Sequence, residues 1–380
     1  MTVFVCIGTI AELIKLGPVI IALRDYGVRV VGVATGQNDL TQSDIFPLVF
    51  PSGIADWVRQ RPPRPTTGAF GFWAVACALC APVALWRIFR RYRVRRPRLI
   101  VHGDTMSTLI GAVAGWLAGA EIVHVEAGLR SFNLLRPFPE EFCRVGVSKL
   151  ATWAFCPGEW AMNNLRATRI RHIIDTQENT LVDAMQMALA MPISVELKAR
   201  LPKQYFLFVC HRQENLFDAK FLRLIVERIE AAADHLPCVT ILHQPALAAF
   251  KREALLDRLQ NNPRIVPLPR QGYIDFTHLL QGAEYIVTDG GSNQEESCYL
   301  GKACLVLRKE TERQEGVGEN VVLSMKDPVT IDAFLKEPMR YNRQPIAVGI
   351  SPSQRIASAL IEPAQAEAGS GRETHLSEPL

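Results

Sequence analysis

Apolar runs of four to six residues, each closed by Gly, Asp, His or another polar residue, alternate along the chain with helix-length amphipathic segments. This is the rhythm of βαβ units on parallel sheets, where strands covered on both faces read as continuous apolar runs. The pattern predicts strands at 2–7, 29–34, 98–102, 121–125, 152–156 and 171–174. A second series follows at 205–210, 238–242, 264–267, 285–288 and 303–307. Eleven strands divide better into two sheets than into one, so the expected fold is α/β, with two doubly wound Rossmann-like domains facing across a cleft. The first domain is expected over 1–178, and the second, a nucleotide-binding domain, over 185–345. Residues 346–363 are expected to form a helix returning to the first domain. The stretch 364–380, rich in Gly, Ser and Glu, reads as a disordered tail. In folds of this class the ligand lies at the carboxyl ends of the strands, which directs attention to the turns that follow them.

One segment departs from the rhythm. Residues 68–86 (GAFGFWAVACALCAPVALW) are 19 without a charge, and 87–98 then hold seven arginines and no acid. The length just suffices to span a bilayer. A true crossing would separate the strands at 2–7 and 29–34 from the one at 98–102, which should share their sheet. Arg59, Arg61 and Arg64 on the other flank also leave the crossing without a preferred orientation. The readings that stay open are a helix lying on the cytoplasmic leaflet, with arginines at anionic head groups, and a helix buried in the core or in a subunit interface.

Composition narrows the class. Of 380 residues, 48% are hydrophobic and 21% charged, with a net charge of +4, which excludes a generally basic nucleic-acid binder and an acidic disordered chain. The basic surplus is local: residues 1–100 carry 13 basic and five acidic side chains, a balance of +8, so the remainder sums to −4. Nine scattered cysteines in apolar surroundings read as buried thiols of a reducing compartment. The Cys77-x-x-Cys80 pair lacks the second pair or histidine that a zinc site needs, so no metal is expected. The opening MTVFVCIGT has no basic leader, and the expected location is the cytoplasm, with possible peripheral contact to the inner face of the membrane through 68–98.

The strand ends carry the chemistry. Gly8-Thr9, followed by a helix with Glu12 and Lys15, makes a corner whose backbone N–H groups could take an anion. Gly103-Asp104-Thr105 and Glu126-Ala127-Gly128-Leu129-Arg130 each place a carboxylate at the carboxyl edge of a strand, and Pro139-Glu140-Glu141 opens a further helix. Acids converging from separate turns can divide general acid and base duty; ion pairs with Arg130, Arg136 or Arg144 are the competing role. In the second half, His211-Arg212-Gln213-Glu214-Asn215 pairs an imidazole with a guanidinium, suited to a leaving phosphate. The Asp289-Gly290-Gly291-Ser292-Asn293-Gln294-Glu295-Glu296 stretch joins a glycine turn and helix start, fit for a diphosphate, to a glutamate fit for ribose hydroxyls. Arg308–Arg313 (RKETER) adds cations after the next strand, with a solvated loop as the alternative.

Taken together these motifs resemble the non-hydrolysing bacterial UDP-N-acetylglucosamine 2-epimerases, with two Rossmann-like domains in the glycosyltransferase type B arrangement. The likeness runs from about residue 3 to residue 325. It is carried by GTIAELIKLGPVI at 8–20, TGQ at 35–37, HGDTMST at 102–108, HVEAGLRS at 124–131, PFPEE at 137–141, ENTLVDA at 178–184, HRQEN at 211–215, TDGGSNQEE at 288–296 and LGKACLVLRKETERQE at 300–315. The resemblance implies an isomerase that eliminates UDP from a UDP-2-acetamido sugar, giving 2-acetamidoglucal, and adds it back with C2 inverted. It implies Asp104, Glu126 and Glu140 as acid/base groups and His211 as the group assisting phosphate departure. Lys15, Arg212, Gly290, Gly291, Ser292, Glu296 and Arg313 are implied as substrate-binding residues. No metal or cofactor is implied, and a homodimer is.

The departures concern binding more than chemistry. The family's first turn reads GTRPE, whereas Ile10-Ala11 stand here in place of Arg-Pro, removing a cation from the diphosphate. Its phosphate turn has serine two places earlier than Ser292, and the histidine that follows TGQ is replaced by Asn38. The expected function is a UDP-2-acetamido-sugar 2-epimerase serving surface-polysaccharide synthesis. The alternatives are a hydrolysing 2-epimerase that releases free sugar and UDP, or a weakly catalytic, membrane-docked UDP-sugar-binding subunit.

Overall fold

The computed structural model describes residues 1–54, 56–60, 62–64, 66–133, 138–311, 313–347 and 349–370, with backbone alone at 67 and 363–370. Arg61, Arg136, Pro137 and Glu312, named above, lie outside the described residues, as does 371–380. The chain divides into two compact units, Met1–Ala184 with Val348–Leu380, and Met185–Ala347.

The first unit is built on seven parallel strands: β1 (Thr2–Ile7), β2 (Arg29–Ala34), β3 (Asp56–Trp57), β4 (Arg98–His102), β5 (Glu121–Val125), β6 (Ala151–Cys156) and β7 (His172–Asp175). Their order is β3-β2-β1-β4-β5-β6-β7. The chain winds outward from β1 in one direction and returns to start again at β4, so the strand order reverses between β1 and β4, the place where open α/β sheets leave a crevice at their carboxyl edge. The Ile10–Asp25 helix follows β1 with a capping box, Thr9 Oγ1 accepting from Glu12 N and Glu12 reaching back to Thr9 N. The Pro352–Ser370 helix packs against it, with Ile356, Ala357 and Leu360 fully buried. That helix also runs into the stretch expected to be disordered, because PAQAEA after Glu362 is made of good helix formers apart from its leading proline.

The apolar 68–86 segment lies within the Thr67–Arg91 helix, which by length and composition could cross a membrane. One face of it packs on the sheet: Trp73, Cys77, Ala81, Leu85, Ile88 and Phe89 join Phe4, Val31, Val33, Leu99 and Val101 in one core. A helix holding that core together cannot also span a bilayer.

The second unit has six parallel strands: β8 (Phe206–Val209), β9 (Cys238–Leu242), β10 (Ile265–Pro269), β11 (Tyr285–Thr288), β12 (Ala303–Val306) and β13 (Val321–Leu323), in the order β10-β9-β8-β11-β12-β13. Here the reversal falls between β8 and β11. Alternation along β8 shows why the sheet is covered twice: Phe206 and Phe208 enter one core with Leu222, Ile225 and Ile229, while Leu207 and Val209 enter the other with Val239, Ile241 and Leu279. The strands expected at 152–156, 171–174, 205–210, 264–267 and 303–307 shift by one or two residues at their ends. The two additional strands, β3 and β13, are two and three residues at sheet edges, too short for any periodicity to mark them.

Candidate functional site

Each unit gathers ionisable side chains at its own switch point. In the first unit β1 ends at Gly8 and β4 at Gly103-Asp104. The corner after β1 is already occupied: Glu12 Oε2 accepts from Gly8 N at 2.6 Å and Thr9 N at 3.2 Å, and Ile10 N donates to Asn38 Oδ1 at 3.3 Å. The expectation that this turn takes an anion is therefore corrected, since the chain's own carboxylate uses the leading N–H groups. Glu12 also accepts from Thr105 Oγ1 at 2.5 Å and Thr108 Oγ1 at 3.2 Å. Burial raises its carboxyl above the ordinary range against the pull of these bonds.

Glu126, just past β5, is the centre of the first constellation. Its backbone takes φ 59°, and its carboxylate is bonded to the Lys15 ammonium and accepts from Asn179 Nδ2 at 2.9 Å. His102 Nε2 lies 3.4 Å away from the same oxygen, and Lys15, His102 and Glu126 are all nearly solvent-free. Asp104 is held by Arg144, with Nη2 at 2.6 Å and Nε at 2.9 Å from Oδ2. Arg144 comes from the Glu140–Leu150 helix, whose second residue, Glu141, is fully buried and accepts from Arg130 Nε at 2.6 Å and Ser131 N at 2.9 Å. Burial works to raise the Glu141 carboxyl, but those hydrogen bonds and the Arg130 and Arg144 charges outweigh it and hold it low. Glu140 opens the same helix differently: its Oε2 is buried and has no hydrogen-bond partner among the described residues. His124 Nε2 meets Gly103 O at 2.8 Å, fixing the turn that carries Asp104, and burial lowers its imidazole.

The second constellation is organised by Asp289, wholly buried after β11. It accepts from His211 N at 3.0 Å, Arg212 N at 3.0 Å and Asn215 Nδ2 at 2.9 Å, so one carboxylate shapes the turn after β8. His211 Nδ1 lies 3.3 Å from Asp289 Oδ1, without the alignment of a hydrogen bond, and the ring is partly exposed. His243, after β9, packs beside it with ring centroids 5.3 Å apart. Burial, then the charges of His211 and Arg270, hold the His243 imidazole down at about 4.

Gly290 and Gly291 start the Gly291–Tyr299 helix, with Ser292 exposed in its first turn. A Cβ built on Gly291 would lie 3.4 Å from Arg313 Nε and 3.8 Å from Arg212 Nη2, so two guanidinium groups flank this helix N-terminus. Arg313 is bonded to Glu295, which Tyr299 OH also approaches at 3.3 Å. Glu296 is buried, and its charge helps raise the Tyr273 phenol, after burial itself.

The structure thus brings Lys15 to Glu126, sets Asp104 on Arg144 and places Glu140 on the same helix as Arg144. In the other unit it sets His211 and Arg212 around Asp289, and Arg212 and Arg313 beside Gly291. Sequence reading did not single out Asn179, His102, His243 or the organising role of Asp289. Only their strand-end positions hinted at the last three. The Cys77-x-x-Cys80 pair is split, Cys77 buried with its thiol pushed up to about 12 and Cys80 exposed.

Two doubly wound sheets, each presenting carboxylate, imidazole or guanidinium groups at its switch point, define a paired Rossmann-type enzyme scaffold. A sequence model of the UDP-N-acetylglucosamine 2-epimerase family matches residues 88–346. The UDP-N-acetylglucosamine 2-epimerase of Methanococcus maripaludis is 33% identical over 258 residues, 64% of this chain and 69% of the relative. That of Methanocaldococcus jannaschii is 35% identical over 236 residues, 59% of this chain and 64% of the relative. The crystal structure of the M. jannaschii UDP-GlcNAc 2-epimerase in complex with UDP-GlcNAc and UDP superposes with a TM-score of 0.77 at 27% identity, covering 95% of this chain and 100% of that one. The chain belongs to the UDP-N-acetylglucosamine 2-epimerase family, a family of epimerase enzymes.

Proposed function

We propose that the chain inverts C2 of a UDP-2-acetamido sugar, of the UDP-GlcNAc to UDP-ManNAc type, without net hydrolysis. A carboxylate removes the C2 proton while the C1–oxygen bond breaks, leaving a 2-acetamidoglucal and UDP. A β-phosphate oxygen of UDP then returns to C1, and a second acid delivers a proton to the opposite face of C2. The observation that carries this reading is the unequal partnering of three acids in one unit. Glu126 and Asp104 are each bound to a cation, whereas Glu140 Oε2 accepts no hydrogen bond among the described residues. Carboxyl groups in such different settings can divide base and acid duty. His211, backed by Asp289, is suited to the departing phosphate, and Gly290, Gly291, Ser292, Arg212 and Arg313 to the diphosphate, with two guanidinium groups beside the helix start at Gly291. Lys15 and Glu296 complete the proposed set. The relative bound to UDP-GlcNAc and UDP supports the substrate class.

The same reading places the enzyme in the cytoplasm, with which nine cysteines outside any disulfide agree, as a homodimer supplying a surface polysaccharide pathway. Proton NMR of UDP-N-acetylglucosamine with the protein in heavy water tests it. Loss of the C2 proton signal with appearance of the manno epimer is the expected result. Free N-acetylmannosamine and UDP without an epimeric nucleotide would select hydrolysis, and UDP binding with an unchanged spectrum would overturn the substrate assignment.

A further inference from the structure

The Thr67–Arg91 helix buries one face and leaves the other uncovered. Phe72, Val75, Leu79, Val83 and Trp86 fall on a single stripe opposite the buried Trp73, Cys77, Ala81 and Leu85, and Phe72 and Leu79 are 71% and 76% exposed. Five large apolar side chains along about 20 Å of helix are more than the scattered surface apolar groups of an ordinary soluble domain. The neighbouring Met106–Leu117 helix adds exposed Val113, Trp116 and Leu117.

The charge at the ends of the stripe says what it meets. Arg91 is engaged by Asp56 at 2.5 Å, but Arg87, Arg90, Arg93, Arg95 and Arg96 are exposed, and the Arg90 guanidinium lies 4.7 Å over the Trp86 ring. Arg59 and Arg64 precede the helix, and the sequence holds no acid between Asp56 and Asp104. A second copy laid on this face would bring like charges together in either direction. Antiparallel, the arginine end meets exposed Arg64 just ahead of the helix, and parallel, it meets itself. An anionic phospholipid surface instead offers acyl chains to the stripe and phosphates to the arginines.

We infer that this face docks the enzyme on an anionic bilayer, with the helix in the plane of the interface and the sheet behind it in the aqueous phase. The inference is independent of the reaction proposed above. The buried face fixes this orientation, because withdrawing Trp73, Cys77 and Leu85 from the sheet would open the first unit's core.

Sedimentation of the full chain with vesicles of phosphatidylcholine alone, or mixed with phosphatidylglycerol, tests the inference. Binding is expected to require the anionic lipid and to weaken with salt. Replacing Arg87→Gln and Arg90→Gln together should weaken partitioning by roughly 30-fold, and L79E with V83E should abolish it. These side chains are exposed, so the melting temperature should not move. Quenching of tryptophan fluorescence by brominated lipid, reduced on Trp86→Phe and reduced further when Trp116→Phe is added, is expected as well. Wild-type protein left in the supernatant with anionic vesicles overturns the inference, as does sedimentation indifferent to these substitutions. A lipid-free dimer that L79E with V83E converts to monomer, seen by light scattering, would assign the face to a second copy instead.

Discussion

Glu126 holds φ 59° without being glycine, a conformation costing about 1–3 kcal/mol that persists only where the surroundings enforce it. Lys15, Asn179 and His102 supply that enforcement by fixing the carboxylate. Glu126→Gln keeps the shape but leaves a buried ammonium without its counter-charge. We expect kcat to fall by about 10²–10⁴ and stability by about 3–5 kcal/mol. Adding Lys15→Met should restore a large part of the stability and none of the activity, a split readable from urea melts beside the deuterium-exchange assay. Much of this was visible along the chain: a carboxylate just after an apolar run places itself at a sheet edge. The partners were not, because Lys15 and Asn179 lie 111 and 53 residues from Glu126 and Arg144 lies 40 from Asp104, and only folding brings them into register.

At the scale of an element, the Gly291–Tyr299 helix joins a close backbone approach to two guanidinium groups. Gly291→Ala keeps an ordinary helical backbone, and its methyl would meet the flexible Arg313 side chain at 3.4 Å, so stability should change by about 0.5 kcal/mol or less. The methyl stands where a phosphate would approach the helix start, and KM for the nucleotide sugar should rise severalfold with kcat less affected. Steady-state kinetics across substrate concentration check this. The strand before this helix, β11, was legible at both ends, because a buried Tyr-Ile-Val-Thr run meets Asp-Gly-Gly. The first corner was misread as an open anion site because a capping glutamate one turn into a helix looks the same in sequence whether it faces solvent or its own backbone.

For the molecule as a whole, acid should act through histidines that the fold holds neutral. His243 stays neutral in the folded chain down to about pH 4, whereas an unfolded histidine takes up its proton near 6.5. Between those values the unfolded chain binds more protons, so stability is full above about 6.5 and is lost as pH falls toward 4. His124, lowered by burial in the other unit, acts in the same sense, and Glu12, raised by burial, acts in the opposite one. His243→Gln removes one contribution and should flatten the loss between pH 6.5 and 5 in thermal or urea melts; an unchanged slope would show that His243 is not held neutral.

The sequence by itself determined the alternation of strand and helix, the turns that carry acids, imidazole and glycines, and a family likeness, because these are local patterns of burial and backbone freedom. The tertiary structure alone decided which acid pairs with which cation, that Asp289 shapes the His211 turn, and that the Pro352–Ser370 helix packs on the Ile10–Asp25 helix. It also decided that the apolar 68–86 segment lies along a sheet instead of through a membrane. Each of these turns on contacts between positions far apart in the chain, and hydrophobic periodicity records that a face is apolar without recording what covers it.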